Sequence, residues 1–484
     1  MNDIVFSTAT EVAAAIQARE ISASEVIDAF AAQIARHNPQ LNAIVTLDIE
    51  GAQQRAREAD RALEGGDLWG PLHGVPVTLK DTFETAGMRT TSSYKPLASY
   101  VPSQDATVVA RLRQAGAILL GKTNMPQLAG DTQSHSPLFG MARNPWNLER
   151  TPGGSSGGEA AAIAGGLSPL GLGSDIGGSI RLPAHFCGAF ALKPTDHLVP
   201  NRGHIPPLPG TPNTVRHMAV NGPIARSVAD LRLCLSLIAG PDGHEPDVPP
   251  VPLGAPPARP LSQLRLAWTD DVGGTPVSAE TRIALSDLAG ELASVGCSVE
   301  RTVPPDFDFR AAWQTYGELY GAMIYSAMPR ITRIFMRRLG PLVFRDPVFR
   351  PATRRAQAAA QQYFDALARR DQFIRAFERF LTGYDAWLCP VAAVPAFPHR
   401  QPNRPDLPLE VEGELVPGVM ATMAHSLIAS LTGHPAVVLP LALSGEGLPI
   451  GVQVTGRRWE DMALLNVAEA LTEITGPFRR PPGY

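Results

Sequence analysis

A chain of 484 residues that is 44% hydrophobic and 18% charged is globular in composition, neither collagen-like nor disordered, and long enough to bury a sizeable core. A formal net charge of -4 and a pI of about 6.3 leave no basic surplus for phosphates, which sets nucleic acid aside as a partner. No stretch approaches the roughly 18 apolar residues of a membrane span, and the four scattered cysteines, Cys187, Cys234, Cys297 and Cys389, suggest neither a disulfide framework nor a CxxC metal site.

In chain order, Thr8 with Glu11 and Ser22 with Glu25 have capping-box spacing and predict two opening helices, the second ended by His37, Asn38 and Pro39. Asp3 and Glu11 stand where a signal peptide would carry positive charge and an apolar run, so the cytoplasm is the expected compartment. Residues 75–79 read as a buried strand, 107–114 as a helix and 117–120 as a further strand; the alternation predicts an α/β fold. Glycine is dense over 153–188, around an expected helix at 159–164 and an expected strand at 170–172, so backbone rather than side chain is being positioned there.

Proline dominates 241–262, which suits an extended connection. A strand at 264–269, a helix at 280–295 and a strand at 297–299 follow, and then a mostly helical stretch over 305–385, rich in Arg and aromatics. Within it Met323, Tyr325, Met328, Phe335 and Met336 fit either plain core or a pocket lining.

Several catalytic patterns match in part and fail their context. Gly171, Gly173 and Gly177 would need glycine at Ile176 to make a dinucleotide loop, and no Walker lysine follows any glycine run. The GxSxG run around Ser155 is preceded by a polar, proline-bearing segment where a nucleophile elbow needs an apolar strand. Ser92 and Lys95 make SxxK without its SDN and KTG companions. The 11 histidines form no HExxH and no clustered pairing at ligand spacing, so neither metal nor other cofactor is expected.

There remain a lysine ending an apolar strand, Lys80, and two serines in glycine-rich backbone, Ser155 and Ser179. A serine hydroxyl needs a base, and a lysine serves only when burial lowers its pKa enough to leave it neutral. Asp81 next to it could oppose that shift. The run from Asp175 to Ser179 lets successive N–H groups converge on one point, which could hold an oxyanion.

Gly153-Gly154-Ser155-Ser156-Gly157-Gly158-Glu159, then Gly173-Ser174-Asp175-Ile176-Gly177-Gly178-Ser179-Ile180-Arg181, then Pro183, Cys187-Gly188 and Lys193-Pro194-Thr195 together resemble the amidase signature. Flanking segments agree: Gly74-Val75-Pro76 before Lys80-Asp81, Gly121-Lys122-Thr123-Asn124, Asn144-Pro145-Trp146 and Gly433-His434-Pro435-Ala436. The resemblance implies one α/β unit over residues 1–484, with a large mixed sheet. Its catalytic core would be 1–240 with 386–484, and the helical 305–385 would shape the substrate pocket.

It also implies Lys80 as buried base, Ser155 as proton relay, usually in a cis peptide, and Ser179 as acylated nucleophile. The N–H groups of Ile176, Gly177, Gly178 and Ser179 would hold the oxyanion, and Ala129 would contact substrate. The expected substrate is a small-molecule amide, ester or carbamate, and a homodimer is a family expectation. A glutamine-hydrolysing subunit of a transamidation complex and an inactive binding protein share the fold. Three positions depart from the pattern: Gln127, Ala191 and Asp196-His197, which stand for the usual Glu, Gly and basic residue with Gly.

Overall fold

Both capping boxes close. Thr8 and Ser22 accept from the N–H three residues on while Glu11 and Glu25 reach back to the cap N–H, starting helices Ala9–Gln17 and Ala23–Leu41. The second helix outruns its expected end at 37–39. Pro39 has a helical φ and removes only one donor from the last turn. The helix stops at left-handed Asn42, whose N–H donates to the Asn38 carbonyl at 2.7 Å. The structure is a computed structural model and describes residues 3–254, 256–402, 404 and 407–484.

The chain is built on an eleven-stranded mixed sheet. In chain order its strands are β1 (Ile44–Leu47), β2 (Pro76–Lys80), β3 (Ile118–Thr123), β4 (Leu170–Asp175), β5 (Phe190–Lys193), β6 (Val220–Ala225), β7 (Arg265–Trp268), β8 (Ser298–Arg301), β9 (Ala386–Pro390), β10 (Ala436–Leu443) and β11 (Pro449–Thr455). Their spatial order is β1-β3-β2-β4-β6-β5-β10-β11-β9-β7-β8. β2 runs parallel to β3 and β4, and β4 antiparallel to β6. Strands from both sides of the proline-rich 241–262 segment therefore share one sheet.

Every residue of β2, β3, β4 and β6 is buried, because helices cover both faces. Such strands read as short apolar runs rather than as alternation. The predicted strands were accordingly found, with ends off by no more than three residues. β2 and β4 deliver Lys80 and Asp175 at their C-terminal ends, side by side in the sheet.

The expected helical stretch is four helices, Phe309–Ser326, Arg330–Val343, Phe349–Arg354 and Ala360–Leu381. The first lies hard against the third because Gly317 and Gly321 have no side chain; a Cβ on either would run into the carbonyl oxygens of Val348 and Ala352. The neighbouring stripe of the first helix, Tyr316, Tyr320 and Ile324, faces the end of β4. Met323 and Tyr325, which the sequence left open between core and pocket lining, are buried in core clusters.

Candidate active site

Lys80 is fully buried at the end of β2, with its Nζ 2.7 Å from Ser155 Oγ, 3.0 Å from Ser174 Oγ and 3.4 Å from the Ser174 carbonyl. Burial pulls its pKa from 10.5 down to about 7, against the opposing charges of Asp175 and Glu159. Asp81, the neighbour expected to oppose the shift, does not act on Lys80. Its carboxylate accepts from the Thr91 N–H and hydroxyl and faces Lys122, because consecutive residues leave a strand on opposite sides.

Glu159 accepts from Thr78 Oγ1 and from Thr123 Oγ1, the latter at 2.8 Å. Its own pKa is raised to about 7 by burial, so near neutrality it carries only part of a charge against Lys80.

The Gly154–Ser155 peptide is cis, as the resemblance implied. Gly154 is required by space: a Cβ there would come within 2.7 Å of the backbone of Asp131, Thr132 and Gln133. Ser156 N–H donates to the Ser179 carbonyl at 3.1 Å and ties the relay segment to the nucleophile loop.

Asp175 organises that loop. Its carboxylate accepts from Gly178 N–H at 2.7 Å, from Ile180 N–H at 3.1 Å, and from Arg181 Nη2 and Nε at 2.9 and 3.0 Å. Burial works to raise the Asp175 pKa, but the Arg181 guanidinium and these bonds win and hold it at about 2. Gly178, at φ +123°, supplies a conformation that other residues rarely adopt. Of the four N–H groups nominated for an oxyanion, that of Gly178 is thus committed to Asp175. No protein acceptor engages those of Ile176, Gly177 and Ser179 among the described residues.

Ser179 is half-exposed and sits where two compartments meet, of about 620 and 460 Å³, which share Ala129, Ile176, Ser179 and Tyr320 as walls. The larger also takes Ser155, His204, Pro206, Asn213 and Ile324, and the smaller takes Asp131, Tyr316, Phe349 and Met423. Ala129 follows Leu128 in a left-handed pair at φ +50° and +58°. Tyr316 donates to the Ile176 carbonyl at 3.2 Å and braces the loop from above. A cleft of about 1070 Å³ lined by Arg265, Asp385 and Glu460 is larger, but it contains none of these groups.

Other sequence candidates fall elsewhere. Ser92 donates to the Ile205 carbonyl while Lys95 is exposed, so their SxxK match is accidental. Of the histidines near the site, His185 bridges the Val394 carbonyl and the Gly451 N–H as a buried structural residue. Sequence reasoning missed Tyr316, Tyr320 and Ile324, for which the Gly317 and Gly321 spacing was the available signal. It missed His204, Pro206 and Asn213 as well, for which the loop offers no periodic signal. It also missed a gathering of Asp196, His197 and His217, which no local spacing betrays.

A buried lysine on a serine, beside a second serine in a glycine-rich loop at the C-terminal ends of two inner strands of a mixed sheet, is the arrangement of the amidase signature class. The profile of the Amidase family matches residues 25–465, and the chain belongs to that family. It is 32% identical to the A subunit of glutamyl-tRNA(Gln) amidotransferase from Roseiflexus sp. (strain RS-1), over 100% of this chain and 98% of that one. The structure of 6-aminohexanoate cyclic dimer hydrolase is similar at TM-score 0.80 and 29% identity, covering 99% of both chains. The A subunit of glutamyl-tRNA(Gln) amidotransferase from Thermotoga maritima is similar at TM-score 0.79 and 26% identity, over 99% of this chain and 98% of that one. Among the described residues no helix is long and apolar enough to cross a membrane.

Proposed function

We propose that the chain hydrolyses a carbon–nitrogen amide bond through an acyl-enzyme on Ser179. The observation that carries this reading is the 2.7 Å approach of Lys80 Nζ to Ser155 Oγ in a site where burial brings the amine to about pKa 7. Neutral Lys80 takes the Ser155 proton, Ser155 takes that of Ser179, and Ser179 Oγ attacks the carbonyl carbon. The oxyanion settles on the N–H groups of Ile176, Gly177 and Ser179, while Gly178, tied to Asp175, fixes the loop. Ser155 then hands a proton to the leaving amine, and water releases the acid. Esters and carbamates are open to the same nucleophile.

Two compartments meeting at Ser179 suit a substrate with a group on each side of the scissile bond. Among the described residues lining them there is no Arg or Lys, and the two buried carboxylates are Asp175, neutralised by Arg181, and Asp131 in the wall of the smaller compartment. This disfavours an anionic substrate and suits one with apolar or aromatic parts. The second reading, a glutamine-hydrolysing component of a transamidation complex, is favoured by the full-length likeness to the amidotransferase relatives. Free glutamine, however, brings a carboxylate that these walls do not meet with a cation.

The test is hydrolysis of an aryl anilide, a primary amide, a p-nitrophenyl ester, an aryl carbamate and glutamine by the wild type and by Ser179→Ala. Cleavage of the anilide or carbamate by the wild type alone supports the free-standing hydrolase. Cleavage of glutamine alone moves the second reading ahead, and activity that survives Ser179→Ala sinks both.

A further inference from the structure

The loop that walls the larger compartment begins and ends on a cluster that acyl transfer does not use. Asp196 and His197 open it and His217 closes it, and one ligand atom from each lies within 4.8 Å of the others. Asp196 is buried, with Oδ2 accepting from Arg370 Nη2 at 2.7 Å and from Met218 N–H at 3.1 Å. His197 Nε2 is 3.7 Å from the same oxygen, and the rings of His197 and His217 meet edge to face at 5.9 Å. His217 Nδ1 is buried with no hydrogen-bond partner among the described residues. A buried imidazole nitrogen left in that state calls for an explanation, and a ligand it has yet to meet supplies one.

We propose that Asp196, His197 and His217 form a binding site for a divalent transition-metal ion of the Zn²⁺ or Ni²⁺ type, which clasps the two ends of the 196–217 loop. Two imidazoles and one carboxylate favour such ions over Ca²⁺ or Mg²⁺, which take oxygen ligands. The Arg370 guanidinium sits on Oδ2, the oxygen nearest His197, and competes with a cation there, so an ion would bind by displacing that contact or by taking the other carboxylate oxygen. His244, Glu245 and Asp247 line the same adjoining cleft as Asp196 and His197, together with Arg202 and Arg216.

That cleft and the substrate compartment share His204, Pro207, Asn213 and Val215 as a common wall. An ion here would stiffen the wall without touching the reacting atoms. Asp196-His197 is also where the sequence departs from its family's usual basic residue and glycine, so the site would belong to this chain and not to the shared chemistry.

Zn²⁺ titrated calorimetrically into the metal-free full chain reads this directly, and the visible absorption of added Co²⁺ reads the ligand geometry. One ion per chain is expected. His217→Ala and His197→Ala should each bind at least about tenfold more weakly, while Ser179→Ala binds as the wild type does. Both histidines are half-exposed, so their variants should keep the wild-type circular dichroism. Absence of saturable Zn²⁺ binding, or undiminished binding and an unchanged Co²⁺ spectrum in both histidine variants, overturns the proposal. Each readout is independent of whether the chain hydrolyses an amide.

Discussion

Residues 153–188 and the helix Arg330–Val343 stand at opposite extremes of the same molecule. In the first, every residue is buried except Ile176 and Ser179, the two that open on the pocket. In the second, only Gly340 is buried, while Ile331, Phe335, Leu339 and Leu342 are exposed. The glycine-rich segment is fixed from all sides: Gly154, Gly158, Gly171 and Gly173 each touch atoms that leave no room for a Cβ. A site that must hold donors and a proton path in place has to be built this way, because misplacement by about 1 Å costs on the order of 100-fold in rate. The helical region is under no such demand, and it lends the pocket the faces of Tyr316, Tyr320, Ile324, Val348 and Phe349. Chemistry is thus lodged in rigid backbone, and selectivity in side chains that can be exchanged.

The sharpest way to break this contrast is at the proton path. Ser155→Ala and Lys80→Met should each lower kcat on the order of 10⁴-fold or more, and the double variant should be hardly worse than either, because the groups act as one unit. Simple multiplication of the two losses would mean that they act separately. The same path fixes the pH dependence. Lys80 must be neutral to accept a proton and its pKa is about 7, so kcat/KM should fall about tenfold per pH unit below that value and level off above it. A profile flat down to pH 5 would remove Lys80 as the base.

Next in size is the buried pair beneath the nucleophile loop. Arg181 bonds Asp175, the Ser426 carbonyl, Gln453 and Ser430, all within 3.0 Å. Arg181→Met should cost about 3–5 kcal/mol of folding stability, since it leaves the Asp175 carboxylate buried and uncompensated. Denaturant unfolding reads this, and a loss under 1 kcal/mol would show that the pair is dispensable. Phe335→Ser, on the exposed helix, is the counterpart and should shift stability by no more than about 0.5 kcal/mol.

The contrast also explains what could be read from sequence. The signature segment was legible because its function is written in residue types at fixed spacing, glycines where Cβ atoms cannot fit and Ser or Lys where chemistry needs them. Buried strands were legible as short apolar runs. The partner of Gly178 N–H was not, since a glycine run shows that donors can converge but not which of them a nearby carboxylate will claim. Nor was the source of opposing charge on Lys80: Asp81 is adjacent in sequence but faces Lys122, whereas Glu159 and Asp175 come from other elements. In the first helix of the helical region Phe309, Trp313, Tyr316 and Tyr320 share one face and Tyr325 lies off it, so periodicity separates the two tyrosines but does not say which face meets the pocket. Only the close approach at Gly317 and Gly321 decides which stripe faces the pocket.

That decision yields the mildest of the predictions and the one most specific to this chain. Tyr320 borders both compartments and is the wall they share on the helical side. Tyr320→Ala joins them and removes apolar contact with either half of the substrate. Discrimination between substrates that differ by one small apolar group should therefore change by about 10- to 200-fold, while the pH at which activity falls stays where Lys80 sets it. Tyr325→Ala, a truncation on the same helix that opens into core, should reduce stability without altering the preference. If the two variants shift selectivity alike, the helix acts as a unit and no single face carries the specificity. If only Tyr320→Ala does, the stripe selected by two glycines is the part of this chain that chooses the substrate.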